Sequence, residues 1–322
     1  MKAKNCLIFG GTGQIGTSLI RKLVKNNYKV TVVTRNLHQK GNFVKTQANA
    51  GYIDIVEANP FDEEVLNKLF QKADICINLV GILYESGKNN TFKNIHTNFP
   101  DVLSKLANLH NLEQFIHVSA LGIDEAETSV YAKSKVEGEK KIKENFPRAL
   151  ILRPSIVYSV DDNFTTLFMT LINRLPIFPI YYNGATKFMP IHCSDLTDII
   201  QHSIEKEINS KIVQCVGPET LTFKELVQTL MNLIDKKRLL IPMPLFFAKI
   251  IASAMEILPK PLLTRDQLNL LNFDNISSGS YDTNSSIGVP SKKLFSEEVK
   301  KYCYMWRDGG QFSTERYYES SE

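Results

Sequence analysis

A doubly wound α/β sheet is the fold this sequence predicts, and three observations predict it. Short apolar runs alternate with segments of helical periodicity through the first half of the chain. The first such run, Cys6-Leu7-Ile8-Phe9, is followed by a glycine turn, Gly10-Gly11-Thr12-Gly13-Gln14-Ile15-Gly16. That turn opens into a segment in which Ile15, Leu19, Ile20, Leu23 and Val24 recur at helical spacing. Strand–helix alternation of this kind gives a mostly parallel sheet with helices on both faces, and its ligands bind beyond the carboxyl ends of the strands.

The elements follow in order. Cys6–Phe9 is too short for a helix and suits a strand buried on both faces. Further strands are expected at 28–34, 51–57, 73–80, 114–119 and 149–152, with helices at 62–71, 90–109 and 130–145. Asp62, Glu63 and Glu64 put negative charge at one helix start, where the helix dipole favours it. After Pro154 the rhythm loosens: helices are expected at 162–175, 196–206 and 221–235, and short strands near 188–191 and 212–216. Ser194 or Asp195 is the expected cap of the middle helix of these three. The predicted organisation is a Rossmann-type domain over 1–160, with segments at about 185–205 returning to it, and a smaller α/β portion over 161–322. Residues 272–292, rich in Asn, Ser and Gly, read as an extended loop, and the last residues as a polar, mobile tail.

Composition bounds the setting. The 322 residues are 43% hydrophobic and 22% charged, ordinary for a soluble globular chain, and the net charge of +4 makes no case for nucleic acid. Five dispersed cysteines form no C-x-x-C pair, so neither a disulfide framework nor a metal site is expected. The first strand begins within about four residues, which leaves no room for a targeting peptide, and no apolar run reaches the roughly 20 residues of a membrane span. The expected location is cytoplasmic. Residues 244–258 (PLFFAKIIASAMEIL), from Pro244 to Leu258, carry only Lys249 and Glu256 as charges. They read either as a core helix of the second portion or as an apolar face for a membrane or a partner.

Candidate chemistry lies along the predicted carboxyl edge. In the first turn Gly10, Thr12, Gly13, Gln14, Ile15 and Gly16 bring backbone N–H groups and a helix start toward a pyrophosphate. The second strand ends in Thr34-Arg35-Asn36 without a carboxylate; Arg35 can pair with a 2′-phosphate, so NADP(H) is favoured over NAD(H). Asn78, Leu79, Val80 and Gly81 follow the fourth strand, where a cofactor's middle would pass, with the Asn78 side chain a candidate for ribose or adenine bonds. Ser119 ends the fifth strand, and Tyr131 and Lys135 share one helical face. A nearby ammonium stabilises a phenolate, and a serine can hold a substrate oxygen, so these three are the candidate catalytic set. The histidines show no ligand spacing.

On these residues the chain resembles the extended and atypical short-chain dehydrogenase/reductases: GGTGQIG, Ser119/Tyr131/Lys135, and Arg153-Pro154-Ser155. More narrowly it resembles the family of the 39 kDa accessory subunit of respiratory complex I. The pieces are Asn78–Gly81, His117–Gly122, Arg153-Pro154-Ser155-Ile156-Val157-Tyr158, Asp161–Phe164, and Leu263-Thr264-Arg265-Asp266-Gln267 leading to Asp274-Asn275. The resemblance implies a tightly held NADPH with Pro154, Ser155, Ile156 and Val157 along the nicotinamide. It also implies a second portion, including 244–258, resting near a membrane and a quinone-reducing complex. In the mitochondrial subunit the cofactor is regarded as structural. Tyr131 and Lys135 are both present here, with no transit peptide, which suits a bacterial relative at the inner membrane. Two functions follow as expectations: an NADPH-binding accessory or assembly protein of a membrane redox complex, or an NADP(H)-dependent oxidoreductase or epimerase acting on a small hydroxy, keto or quinone-related molecule.

Overall fold

The computed structural model describes residues 3–37, 41–47 and 51–312; the expected polar tail lies outside the described residues. The first half runs β1 (Asn5–Phe9), α1 (Gln14–Lys25), β2 (Lys29–Thr34), a one-turn α2 (Asn42–Lys45), β3 (Ile53–Glu57), α3 (Glu63–Phe70), β4 (Ile75–Asn78), α4 (Phe99–Leu109), β5 (Gln114–Val118), α5 (Val130–Asn145) and β6 (Leu150–Pro154). The second half begins with β7 (Val157–Tyr158), α6 (Thr165–Arg174), β8 (Ile177–Ile180), β9 (Lys187–Phe188), β10 (Ile191–His192), α7 (Cys193–Glu205) and β11 (Lys211–Cys215). It continues with β12 (Leu221–Thr222), α8 (Phe223–Leu233), β13 (Leu239–Pro242), α9 (Leu245–Met255), α10 (Arg265–Leu270), β14 (Asp282–Thr283) and α11 (Phe295–Lys300).

Eight parallel strands form the central sheet in the order β3-β2-β1-β4-β5-β6-β11-β14. β1 alternates between the two faces: Cys6 and Ile8 pack with α1 and α7, while Leu7 and Phe9 pack with α3, α4 and α5. Burial on both sides is why the strand reads as an unbroken apolar run. The strand order reverses beside β1, so the chain leaves β1 and β4 on either side of one crevice. A third apolar cluster, built from Tyr158, Met169, Phe178, Phe223, Leu226 and Phe295, belongs to the second half.

Local chemistry explains several boundaries and corrects others. Asp62 caps α3, accepting from Val65 N at 3.2 Å. α7 is capped by His192, whose Nδ1 accepts from Ser194 N at 3.2 Å, and not by Ser194 or Asp195; β10 runs straight into the helix, which puts Asp195 in its first turn. The expected strand at 188–191 divides into β9 and β10 around Pro190. The stretch expected as loop at 272–292 contributes β14 to the sheet edge. Residues 93–98, just before α4, form a π-helical turn. Pro100 has no N–H to give the His96 carbonyl, and α5 crosses closely there: a Cβ on Gly138 would lie 1.8 Å from His96 O.

α9 is not a core helix. Only Ala248 and Ala252 are buried, against Leu268. Phe246 is 70% exposed, Phe247 57%, Ile250 53% and Ile257, just beyond the helix, 85%. No helix among the described residues is long and apolar enough to cross a membrane.

Candidate functional site

The site grows from the glycine turn at the crevice. Gly10 takes φ +81°, and a Cβ there would meet the Leu79 carbonyl group at 3.1–3.2 Å. Gly13 N donates to Gly10 O at 3.1 Å, and α1 then begins with no side-chain cap, so its first turn faces the crevice unmasked. A Cβ on Gly16 would fall 2.4 Å from Gly11 Cα, so only glycine lets α1 start this close to the turn. Thr12 and Ile15 are half-buried, Ile15 against the sheet core. Gln14 Nε2 donates to Val157 O at 3.2 Å, which brings the glycine turn up to the 154–157 segment.

The other cofactor candidates are placed as follows. Arg35 is exposed past the end of β2 and makes no ion pair among the described residues. The Asn78 side chain is fully buried: its Oδ1 accepts from Val80 N at 3.1 Å and its Nδ2 donates to His117 Nδ1 at 3.1 Å. The amide therefore helps to shape the Leu79–Gly81 turn. Ser155 Oγ is likewise engaged, donating to Asn275 Oδ1 at 2.6 Å. Pro154 O accepts from Leu121 N and Ile156 O from Ile191 N, so backbone bonds hold this segment in place.

Lys135 reaches from α5 to the end of β5, its Nζ 3.4 Å from Val118 O and 3.4 Å from where a Gly81 Cβ would lie. It is 6.0 Å from the Tyr131 ring centre. Ser119 Oγ and His117 Nε2 are buried and find no hydrogen-bond partner among the described residues. Ser119 and His117 lie two apart on one face of β5 and its continuation, and Lys135 acts electrostatically on His117. Buried polar groups are nearly always bonded, so these atoms fit a ligand rich in oxygen, such as a dinucleotide's ribose. Burial and then the Lys135 charge hold His117 and His96 neutral, His96 down to about 2. His96 Nε2 accepts from Ile82 N at 3.0 Å, which fixes the turn after Gly81.

Burial, followed by the Asp266 carboxylate, pushes the Tyr131 phenol up to about 12. That is opposite to the lowering expected from its neighbour. Burial brings Lys135 down to about 8. The Tyr131 ring packs edge-on to His96 with centres 5.1 Å apart.

Sequence reasoning gave no role to His96, His117 or Asp266. The Thr264-x-x-Gln267 capping box was legible, since Thr264 Oγ1 accepts from Gln267 N and Gln267 Oε1 from Thr264 N. What Asp266 touches was not.

Two family models match, the NmrA-like family over residues 2–99 and the RmlD substrate binding domain over residues 124–261. NADH dehydrogenase (ubiquinone) 1 alpha subcomplex subunit 9 of Arabidopsis thaliana is 25% identical over 315 residues, covering 94% of this chain and 78% of that protein. The NADH-ubiquinone oxidoreductase 40 kDa subunit of Neurospora crassa is 22% identical, covering 88% and 74%. A ceramide reductase of Caulobacter vibrioides is 26% identical over 58% of this chain and 57% of its own. Among solved structures, UDP-glucose 4-epimerase of Thermotoga maritima superposes with TM-score 0.68 at 17% identity, covering 92% of this chain and 96% of that one. The dTDP-glucose 4,6-dehydratase of Bacillus anthracis, in complex with NAD, gives TM-score 0.69 at 15% identity, covering 94% and 96%. These two show the fold. Its eight-stranded parallel sheet has the Rossmann-like, NAD(P)-binding fold of these dehydratase and epimerase structures, and over most of its length the sequence is similar to the complex I subunits.

Proposed function

We propose that this protein holds NADPH as a lasting part of its structure and serves as an accessory protein of a membrane redox complex with a quinone-related role. The burial pattern of α9 carries the reading. Its inward face is two alanines, and its large apolar side chains point to water, the reverse of a helix folded into a core. Residues 236–265 carry six basic side chains and one acidic. Of these Lys237, Lys249 and Lys260 are exposed without ion pairs among the described residues. Exposed phenyl and aliphatic groups with exposed lysines before, within and after them in the chain suit the interface of an anionic bilayer. Relatives named as subunits of ubiquinone-linked NADH dehydrogenases span most of the chain, which supports a place beside such a complex. We therefore place the protein peripherally at the inner membrane, facing the cytoplasm.

For the cofactor, Arg35 and the absence of a carboxylate in its turn favour the 2′-phosphate of NADPH. The first turn of α1 would hold the pyrophosphate, and Lys135, His117 and Ser119 the oxygens of the sugar next to the nicotinamide. A bound nicotinamide supplies hydride chemistry.

Flotation with anionic vesicles tests the docking. The wild type is expected to float, and Phe246→Asp with Ile250→Asp to stay at the bottom while keeping its melting temperature. A wild type that never floats would remove the membrane from the reading.

The retained Tyr131/Lys135 pair favours a second reading, an oxidoreductase or epimerase on a small hydroxy, keto or quinone-related substrate. There Tyr131 Oη would exchange a proton with the substrate oxygen, and substrate turnover must vanish in Tyr131→Phe. Turnover that persists in the variant would exclude Tyr131 from that chemistry.

A further inference from the structure

The helix that carries Tyr131 and Lys135 is anchored by a residue from the other half of the chain. Asp266 Oδ1 accepts from Val130 N at 2.8 Å, and Oδ2 accepts from Tyr131 N at 3.1 Å and from Ser129 Oγ at 2.7 Å. Ser129 is itself the cap of α5, with its Oγ accepting from Ala132 N at 3.1 Å. The first N–H groups of a helix have no partner within it, so one carboxylate here satisfies two of them and steadies the cap that serves a third. A negative charge at this end also meets the positive end of the α5 dipole.

Asp266 is itself delivered rigidly. Thr264 and Gln267 close a capping box around it. Arg265, its neighbour, donates through N and Nε to both carboxylate oxygens of Glu256, at 2.8 and 2.9 Å, at the end of α9. The start of α5 is thus clamped to the second half of the chain, on the short stretch that also follows the exposed apolar helix.

We propose that Asp266 is a positioning residue of the nucleotide site: it fixes the first turn of α5, and so sets Tyr131 and Lys135 against the glycine turn and Gly81. The inference rests on the reading of Lys135 as a nucleotide contact. Tyr131 is one residue inside the anchored turn, and Lys135 one turn further on. A shift in the start of α5 moves both together, while β5, β1 and the glycine turn stay fixed in the sheet. Among the described residues the same carboxylate is the one anion acting on Tyr131, whose other charged or titratable neighbours are Lys135 at 6.0 Å from its ring centre and His96, held neutral. Burial first, and then Asp266, favours the protonated Tyr131.

The test uses the full chain with Asp266→Ala and Asp266→Asn, and reads NADPH affinity by fluorescence together with the Tyr131 titration by difference absorbance against Tyr131→Phe. Asp266→Ala should weaken NADPH about tenfold, the size of a lost helix cap. Asp266→Asn keeps one acceptor oxygen but turns an N–H toward the donors at the other position, so affinity should recover only in part, between Asp266→Ala and wild type. In Asp266→Asn the Tyr131 titration should nevertheless move to lower pH, because the charge is gone. A merely structural role would lower the melting temperature of both variants and leave NADPH affinity as in wild type. Wild-type affinity in Asp266→Ala with an unmoved titration would overturn the proposal. Should the wild type bind no NADPH, the nucleotide reading falls by itself, and an unmoved Tyr131 titration in Asp266→Asn would then overturn the role of Asp266 as well.

Discussion

Arg153→Ala is expected to destabilise the protein by about 3–5 kcal/mol, the cost of leaving a buried charge without its partner. The Arg153 side chain is 4% exposed and bonds Glu139 through Nε at 2.9 Å and Nη2 at 2.7 Å. It bonds Asp124 through Nη1 at 2.5 Å and Nη2 at 3.1 Å, and the Tyr281 ring lies 4.7 Å from the guanidinium. Glu139, equally buried, would keep its charge with nothing to pair it. Asp124 is half-exposed and would be resolvated by water. Urea midpoints at constant slope measure the loss. Arg153→Met with Glu139→Leu should recover much of it, since no buried charge then remains. A fall under 1 kcal/mol in the single variant would show that the network is not what holds β6 to α5. The pH dependence has a definite sign. Burial pulls the Asp124 carboxyl up, but its bonds to Arg153 and the guanidinium charge outweigh that and leave it below the usual range. Its contribution is therefore present at neutral pH and lost as pH falls through that depressed range.

Gly16→Ala should abolish nucleotide retention. The added methyl would fall 2.4 Å from Gly11 Cα and 2.5 Å from Gly10 O, both backbone atoms that no side-chain rotation can move aside. Either the turn opens or α1 withdraws. Each displaces the helix start from the crevice, and overpacking of this kind typically costs about 1–3 kcal/mol or more in stability. Comparable nucleotide content in Gly16→Ala and wild type would mean that the turn does not seat the pyrophosphate.

The parts of this molecule legible in the sequence are those where the physics is local. β1, the glycine turn and α1 occupy a continuous stretch with one periodicity each, and Asp62 caps the helix it immediately precedes. What escaped depends on partners far along the chain. Asp266 meets the N-terminus of α5 across 135 positions, and nothing in Thr-Arg-Asp-Gln says where its carboxylate points. The bond from Asn78 to His117 joins neighbouring strands across 39 positions and leaves no local mark. The composition of α9 fitted a buried helix as well as a docking one; only the packing of Ala248 and Ala252, with the phenylalanines left outside, separates them. β14 is two residues long in a stretch of Ser, Gly and Asn, and it exists because β11 presents an open edge.

The central claim is that this fold retains NADPH, and the nucleotide released when purified protein is denatured tests it most directly. Chromatography of that supernatant should show NADP(H) at about one per chain, and little in Arg35→Asp, whose carboxylate would repel the 2′-phosphate. NAD(H) in its place, or no nucleotide from protein that melts cooperatively, would contradict the account.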